Sequence, residues 1–190
     1  MGSNIRYNMS SLYSSFPEFD LSDIVLREID PASDANCFYK YMNNTNVAPF
    51  LADCDRPKDI NGAVSELSYW HGLFKYRRSV YWAIAEKENN KIIGTLGFNQ
   101  YSEAHRKVEI SYDLDYAYWS KGIMTKALGT ILEFAFDKMQ IIRAQATVAC
   151  HNDRSIRLLE RLGFELEGKM TNFCILEDIP VDYYMYAKFR

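Results

Sequence analysis

The run of residues between Lys107 and Cys150 constrains the fold more than any other feature. In "KVEISYDLDYAYW", Val108, Ile110, Tyr112 and Leu114 fall on one side, while Glu109, Ser111, Asp113 and Asp115 fall on the other, the period of two that a strand requires. After Gly122, the residues Ile123, Met124, Ala127, Leu128, Ile131, Leu132, Ala135 and Phe136 make an apolar stripe with helical spacing. "IIRAQATVAC" then alternates again as a strand. Strand, glycine-marked turn, helix and strand in that order predict a parallel crossover, right-handed by the general rule, with the helix packed on a sheet. The polar face of the first strand, a row of acids with a serine, predicts a solvated cleft rather than a packed layer.

The flanking segments extend that sheet. "DIVLREID" alternates as a strand, and Pro31 and Ser33 suit the opening of a helix over "PASDANCFYKYMNN". A second helix is predicted from Pro57 to Arg78; its basic end, Lys75 to Arg78, reads as cations favoured by the helix dipole rather than as an anion site. "SVYWAIAEKENNKIIGTLGFNQYS" gives two strands joined at Lys87 to Asn90. "HNDRSIRLLERLGF" gives a short helix started by Asn152 or Asp153 and ended by Gly163, and "FELEGKM" and "VDYYMYAKF" supply the last strands. Residues 1–22, rich in Ser, Asn and Tyr, read as an arm, and residues 23–190 as one domain, the usual unit for a chain of 190 residues.

Composition removes several classes of function. With 22 Lys plus Arg against 25 Asp plus Glu, the net charge of -3 lacks the basic footprint of a general nucleic-acid binder and suits a cationic or small neutral partner. No stretch has the length of a membrane span, and the first residues carry no apolar signal region, so a cytoplasmic chain without membrane contact is expected. Cys37, Cys54, Cys150 and Cys174, and His71, His105 and His151, are scattered without ligand spacing; neither a metal site nor a disulfide framework is expected.

A helix that follows a strand directly presents unpaired N–H groups and the positive end of its dipole, a ready anion site worth roughly 0.3 to 1 kcal/mol per exposed contact. Gly122 would let an anion approach the backbone, with Lys121 adding charge, yet a plain turn explains the glycine equally well. Neither the G-x-x-x-x-G-K-[ST] of a P-loop nor the G-x-G-x-x-G of a dinucleotide fold is present here.

"VEISYDLDYAYWSKGIMTKAL", "CHNDRSIRLLERLGFELEGKM" and "DYYMYAKF", taken in order over roughly Asp23 to Arg190, resemble the GCN5-related N-acetyltransferases (GNAT), and within them the Rim-type branch that acetylates ribosomal-protein N-termini. The resemblance implies an α/β (α+β) GNAT fold: a mixed central sheet flanked by helices on both faces, with a parallel strand-helix-strand cofactor unit. The family's loop, Gln/Arg-x-x-Gly-x-Gly/Ala, falls on Trp119, Ser120, Lys121, Gly122, Ile123 and Met124. Ser120 stands where the Rim-type branch has glycine, and Met124 where it has alanine or glycine; Met124 could narrow the groove.

What the resemblance implies is an acetyl-CoA site without metal. Backbone N–H groups from about Lys121 to Thr125 would hold the pyrophosphate, a bulged strand near Asp113 and Leu114 would pair with the pantetheine, and Asn152 and Ser155 match the branch's Asn-x-x-Ser. Asn152 as a simple helix cap is the alternative. Attack by a neutral amine on a thioester gains from a base, and Glu109 on the polar strand face is the first candidate, an ordinary solvated acid being the bland reading. Leu159 stands where many members carry an acidic tyrosine, so Ser155 becomes the candidate acid; Cys174 stands where the branch has a second glutamate. Glu177, Asp178 and Asp182 are expected near a turn on the amine side. The implied partner is an amine, either a protein N-terminus or a small amine such as a polyamine, amino sugar or antibiotic, taken by a monomer or homodimer. A non-catalytic acyl-CoA-binding domain is the reading from a different class.

Overall fold

Among the described residues, eight strands form one sheet in the order β1-β2-β3-β4-β5-β6-β8-β7. They run as β1 (Phe19–Leu21), β2 (Ile24–Arg27), β3 (Tyr81–Glu86), β4 (Ile92–Ser102), β5 (Lys107–Leu114), β6 (Arg143–Ala149), β7 (Glu165–Leu176) and β8 (Ile179–Phe189). The helices are α1 (Pro31–Met42), α2 (Ile60–Lys75), α3 (Ile123–Asp137) and α4 (Asp153–Arg161). The architecture is a computed structural model that describes residues 12–52, 55–176 and 178–190. Every neighbouring pair of strands is antiparallel except β5 and β6, which are parallel and joined through α3, the crossover that the periodicity predicts.

Helices cover both faces because β3 and the first half of β4 are buried on both sides. On one face, Phe38 and Tyr41 of α1 and Ala63, Leu67 and Leu73 of α2 pack on Tyr81, Ala83 and Ile92. On the other, Ala127, Leu128, Ile131 and Ala135 of α3 and Leu159 of α4 pack on Trp82, Ile84, Leu96, Phe98, Val108 and Ile110. The buried residues of α3 are those of the predicted stripe, with Ile123 half-buried at its start.

Two details depart from expectation. The segment expected as an arm contributes β1, which pairs with β2, while Phe16 meets Trp82 edge-on, Phe19 meets it at a tilt and Trp82 donates to the Pro17 carbonyl at 2.6 Å. Three residues are too few to show a period. The bulge expected near Asp113 and Leu114 lies instead on β4: Phe98 pairs with Ile110 and Gln100 with Glu109, leaving Asn99 as the extra residue. An extra residue raises local twist and bends the strand, and it falls beside the point where β5 and β6 part. Their pairing runs only through Lys107–Arg143, Val108–Ala144 and Glu109–Gln145. Beyond it, the β6 side of β5 has no strand partner among the described residues.

Candidate active site

The parting of β5 from β6 opens a cavity of about 730 Å³. Because the sheet is split there, residues from both faces of β5 line the same space: Glu109, Ser111 and Asp113 from one, Ile110, Tyr112 and Leu114 from the other. Ala146 to Ala149 of β6 form the facing wall.

One end of the cavity is basic and built on main chain. Gly122, Ile123, Met124 and Thr125 all line it. The first N–H groups of α3 have no partner within the helix, and no side chain caps it; its N-cap, Gly122, holds φ 75°. A Cβ there would meet nothing within 4 Å, so the glycine serves the left-handed turn and leaves the space above it clear. Ser120 also lies in the left-handed region, at φ 62°, which explains the glycine of the Rim-type pattern at this place. Its hydroxyl accepts from Arg154 at 3.3 Å, and the Arg154 guanidinium lies 4.9 Å from the centre of the Trp119 ring. Trp119 in turn donates to the Leu114 carbonyl at 2.8 Å, so the loop is pinned to both β5 and α4. Lys121 behaves differently: its side chain turns over the Tyr118 ring, 5.0 Å from the centroid, and is absent from the lining. Met124 is buried and still lines the cavity.

Charge at this end comes from Arg154, Arg157 and Arg161, exposed residues of α4 that line the cavity. Sequence reasoning passed over them, although their spacing of three, four and seven residues puts them on one helix face. Asn152 caps α4 by accepting from the Ser155 N–H at 3.1 Å, as the cap reading expects, and also lines the cavity. Leu159 is fully buried and offers nothing to the site.

The other end opens across the sheet, on the face that α1 and α2 cover, and is acidic: Asp55, Glu109 and Asp113 line it. Phe50, whose ring lies 6.1 Å from that of Trp119, lines the cavity beside the loop. Glu109 sits on the last residue pair shared by β5 and β6 and accepts from Gln145 Nε2 at 2.9 Å. Asp113 is not a solvated strand acid: it accepts from Tyr41 at 2.7 Å, from the Thr95 N–H at 3.0 Å and from the Thr95 hydroxyl at 2.5 Å. Burial pushes its carboxyl up to about 6 against the pull of those donors. Glu66 of α2 is pushed up to about 7, first by burial and then by Asp113 and Asp55. Between the two ends, Tyr112 and Ser155 share a hydrogen bond of 2.6 Å, and burial raises the Tyr112 phenol to about 12. The sequence alone shows Tyr112 only as an apolar strand position.

Of the tail acids, Asp182 is taken up by Lys169 at 2.6 Å and by the Asn172 N–H, Asp178 sits exposed in the turn, and Glu177 lies outside the described residues, as does Cys54. Cys174 is half-buried on β7 and does not line the cavity. Among the described residues, no group of three or more His, Cys, Asp or Glu is arranged to hold a metal ion, and no helix is long and apolar enough to cross a membrane.

Comparison with known proteins identifies the class to which this fold belongs. Residues 23–165 match the acetyltransferase (GNAT) domain family, and the chain belongs to it. The N-acetyltransferase YoaA of Bacillus subtilis (strain 168), itself uncharacterised, is 26% identical over 90% of this chain and 96% of its own. The [ribosomal protein uS5]-alanine N-acetyltransferase of Escherichia coli (strain K12) is 26% identical over 67% of this chain and 66% of its own. Among solved structures, a RimL ribosomal L7/L12 α-N-protein acetyltransferase in complex with coenzyme A has a TM-score of 0.81 at 20% identity, covering 89% of this chain and 95% of that one. The protein is thus an N-acetyltransferase of the GNAT type, related to the ribosomal-protein acetyltransferases.

Proposed function

We propose that the protein transfers an acetyl group from acetyl-CoA directly to a primary amine, with a protein N-terminus as acceptor. The observation that carries this is the polarity of one continuous cavity, arginines and a helix N-terminus at one end and carboxylates at the other. The residues fit the cofactor. The free N–H groups at Ile123 to Thr125 and the α4 arginines suit a pyrophosphate, the open edge of β5 from Ile110 to Leu114 suits hydrogen bonds to an extended amide chain, and Asn152 and Ser155 flank that path. When bound, acetyl-CoA supplies the activated acyl carbon.

The acidic end would draw a cationic amine, and Glu109, at the split itself, would take its proton directly or through water. An α-amino group, with pKa near 7.7 to 8.0, is about one-tenth neutral at pH 7, whereas a lysine near 10.4 is below about one-thousandth, so an N-terminus asks less of the base. The relation to a uS5-alanine N-acetyltransferase supports the same choice.

Release of free thiol from acetyl-CoA, measured against N-terminal peptides beginning with alanine or serine and against polyamines and amino sugars, tests the reading. Turnover of the peptides supports it. Turnover of the small amines alone would replace the acceptor, and cofactor binding without turnover of either set would leave an acyl-CoA-binding domain.

A further inference from the structure

The pair Tyr112 and Ser155 joins β5 to α4 across the cavity, and neither hydroxyl is needed to hold the fold. The Tyr112 ring is half-buried against the main core, and α4 is already fixed by Leu159 and by its Asn152 cap. Yet the two oxygens sit 2.6 Å apart and both residues line the cavity. Tyr112 is three residues along β5 from Glu109, about 10 Å at the rise of a strand, on the side toward the α3 loop. A chain running from that loop to Glu109 has to pass the pair.

We propose that Tyr112 donates its hydrogen bond to Ser155 and thereby turns the Ser155 hydroxyl outward, as a donor to the sulfur that leaves in acyl transfer. In this arrangement Ser155 stabilises the sulfur anion and keeps its own proton. The inference rests on the proposed acyl transfer, in which a carbon–nitrogen bond forms, a carbon–sulfur bond breaks with its electron pair passing to sulfur, and the amine proton goes to Glu109.

The direction of donation follows from acidity. A phenol is a stronger acid than an aliphatic alcohol, so the phenol is the donor within the pair and the serine O–H is free to turn away. Burial holds the Tyr112 phenol at about 12, so its proton is in place throughout the working range. Burial also opposes a relay: it holds the phenol well above a thiol's pKa near 8.5, so passing the Tyr112 proton to the sulfur anion is uphill. Ser155 alone is a weaker acid still. Tyr112 is therefore a positioning residue that acts through Ser155.

The test titrates the thiol of coenzyme A bound to the protein, followed by thiolate absorbance in the ultraviolet, in wild type, Tyr112→Phe, Ser155→Ala and the double variant. Arg154, Arg157 and Arg161 of α4, Asp55, and Glu109 and Asp113 of β5 also act on that sulfur through their charges, and they are common to all four proteins. A hydrogen bond to an anion corresponds to about one to two pH units. The thiol pKa should rise by about one unit in each single variant and no further in the double, with Ser155→Thr restoring the wild-type value. A Tyr112→Phe protein that titrates like wild type overturns the role of Tyr112. Unmoved titration in Ser155→Ala as well reduces the pair to a fastening between β5 and α4. Failure of wild type to bind coenzyme A sinks the proposed function together with this inference. The expected shifts without acetylation of any amine uphold the hydrogen bond to sulfur and overturn both the acyl-transfer reading and the role of the pair in it.

Discussion

The two ends of the cavity are built from different materials. The loop end takes its shape from main-chain geometry, a left-handed Gly122, a left-handed Ser120 and unpaired helix N–H groups, with three arginines of α4 sharing its charge among them. The carboxylate end depends on side chains held by other side chains, with Gln145 on Glu109 and Tyr41 and Thr95 on Asp113. Main-chain groups survive most substitutions, so the loop can depart from the Rim-type pattern at Ser120 and Met124 and keep its shape. Side-chain groups do not, and single changes there should remove function outright.

Four substitutions test that contrast. The largest effect is expected at the carboxylate end: Glu109→Gln should lower kcat by about 10²-fold or more while calorimetry finds coenzyme A affinity unchanged. At the loop end, Arg157→Ala should weaken coenzyme A about tenfold at low salt, the difference shrinking as ionic strength rises, with kcat at saturation preserved. An equal loss of kcat in the second variant would erase the distinction between the ends.

Glu66→Gln probes the carboxylate end through stability. The folded chain holds protons on Glu66 up to about pH 7 and on Asp113 up to about pH 6, above their unfolded values of 4.5 and 3.8. The stabilisation from these raised values is complete below about pH 4 and is lost as pH climbs through about 6 and then 7. Removing the Glu66 charge should therefore raise stability at pH 8 by about 1 kcal/mol, after allowance for solvent screening, and change little at pH 4. Denaturation at the two pH values checks the sign. Ser120→Gly should do least. Relief of the left-handed strain and the added chain entropy nearly cancel, leaving stability within about 0.5 kcal/mol and coenzyme A affinity within about threefold.

The sequence made the crossover legible because its elements are long and their periods clean: the β5 alternation and the α3 stripe return almost residue for residue as buried positions. Glu109 and the Gly122 loop were legible for the same reason, since a polar strand face leading into a helix start is a local pattern. Asp113 was misread as solvated because its partners, Tyr41 and Thr95, lie 72 and 18 residues away. The same distance hid the Tyr112–Ser155 bond, which spans 43 residues. The bulge at Asn99 left no mark, because an extra residue in a strand shows only once the partner strand is known. The α4 arginines were visible as a row, but which way that row faced depended on where β6 ended.

The shortness of the β5–β6 pairing, three residue pairs before the strands part, also has a kinetic meaning. A slot that reaches both faces of the sheet gives donor and acceptor separate doors. Under the proposed chemistry both can be resident at once, and neither product has to leave before the second substrate arrives. Double-reciprocal plots at several fixed acceptor concentrations should therefore intersect rather than run parallel, and a compound that tethers coenzyme A to an amine should fill both doors together.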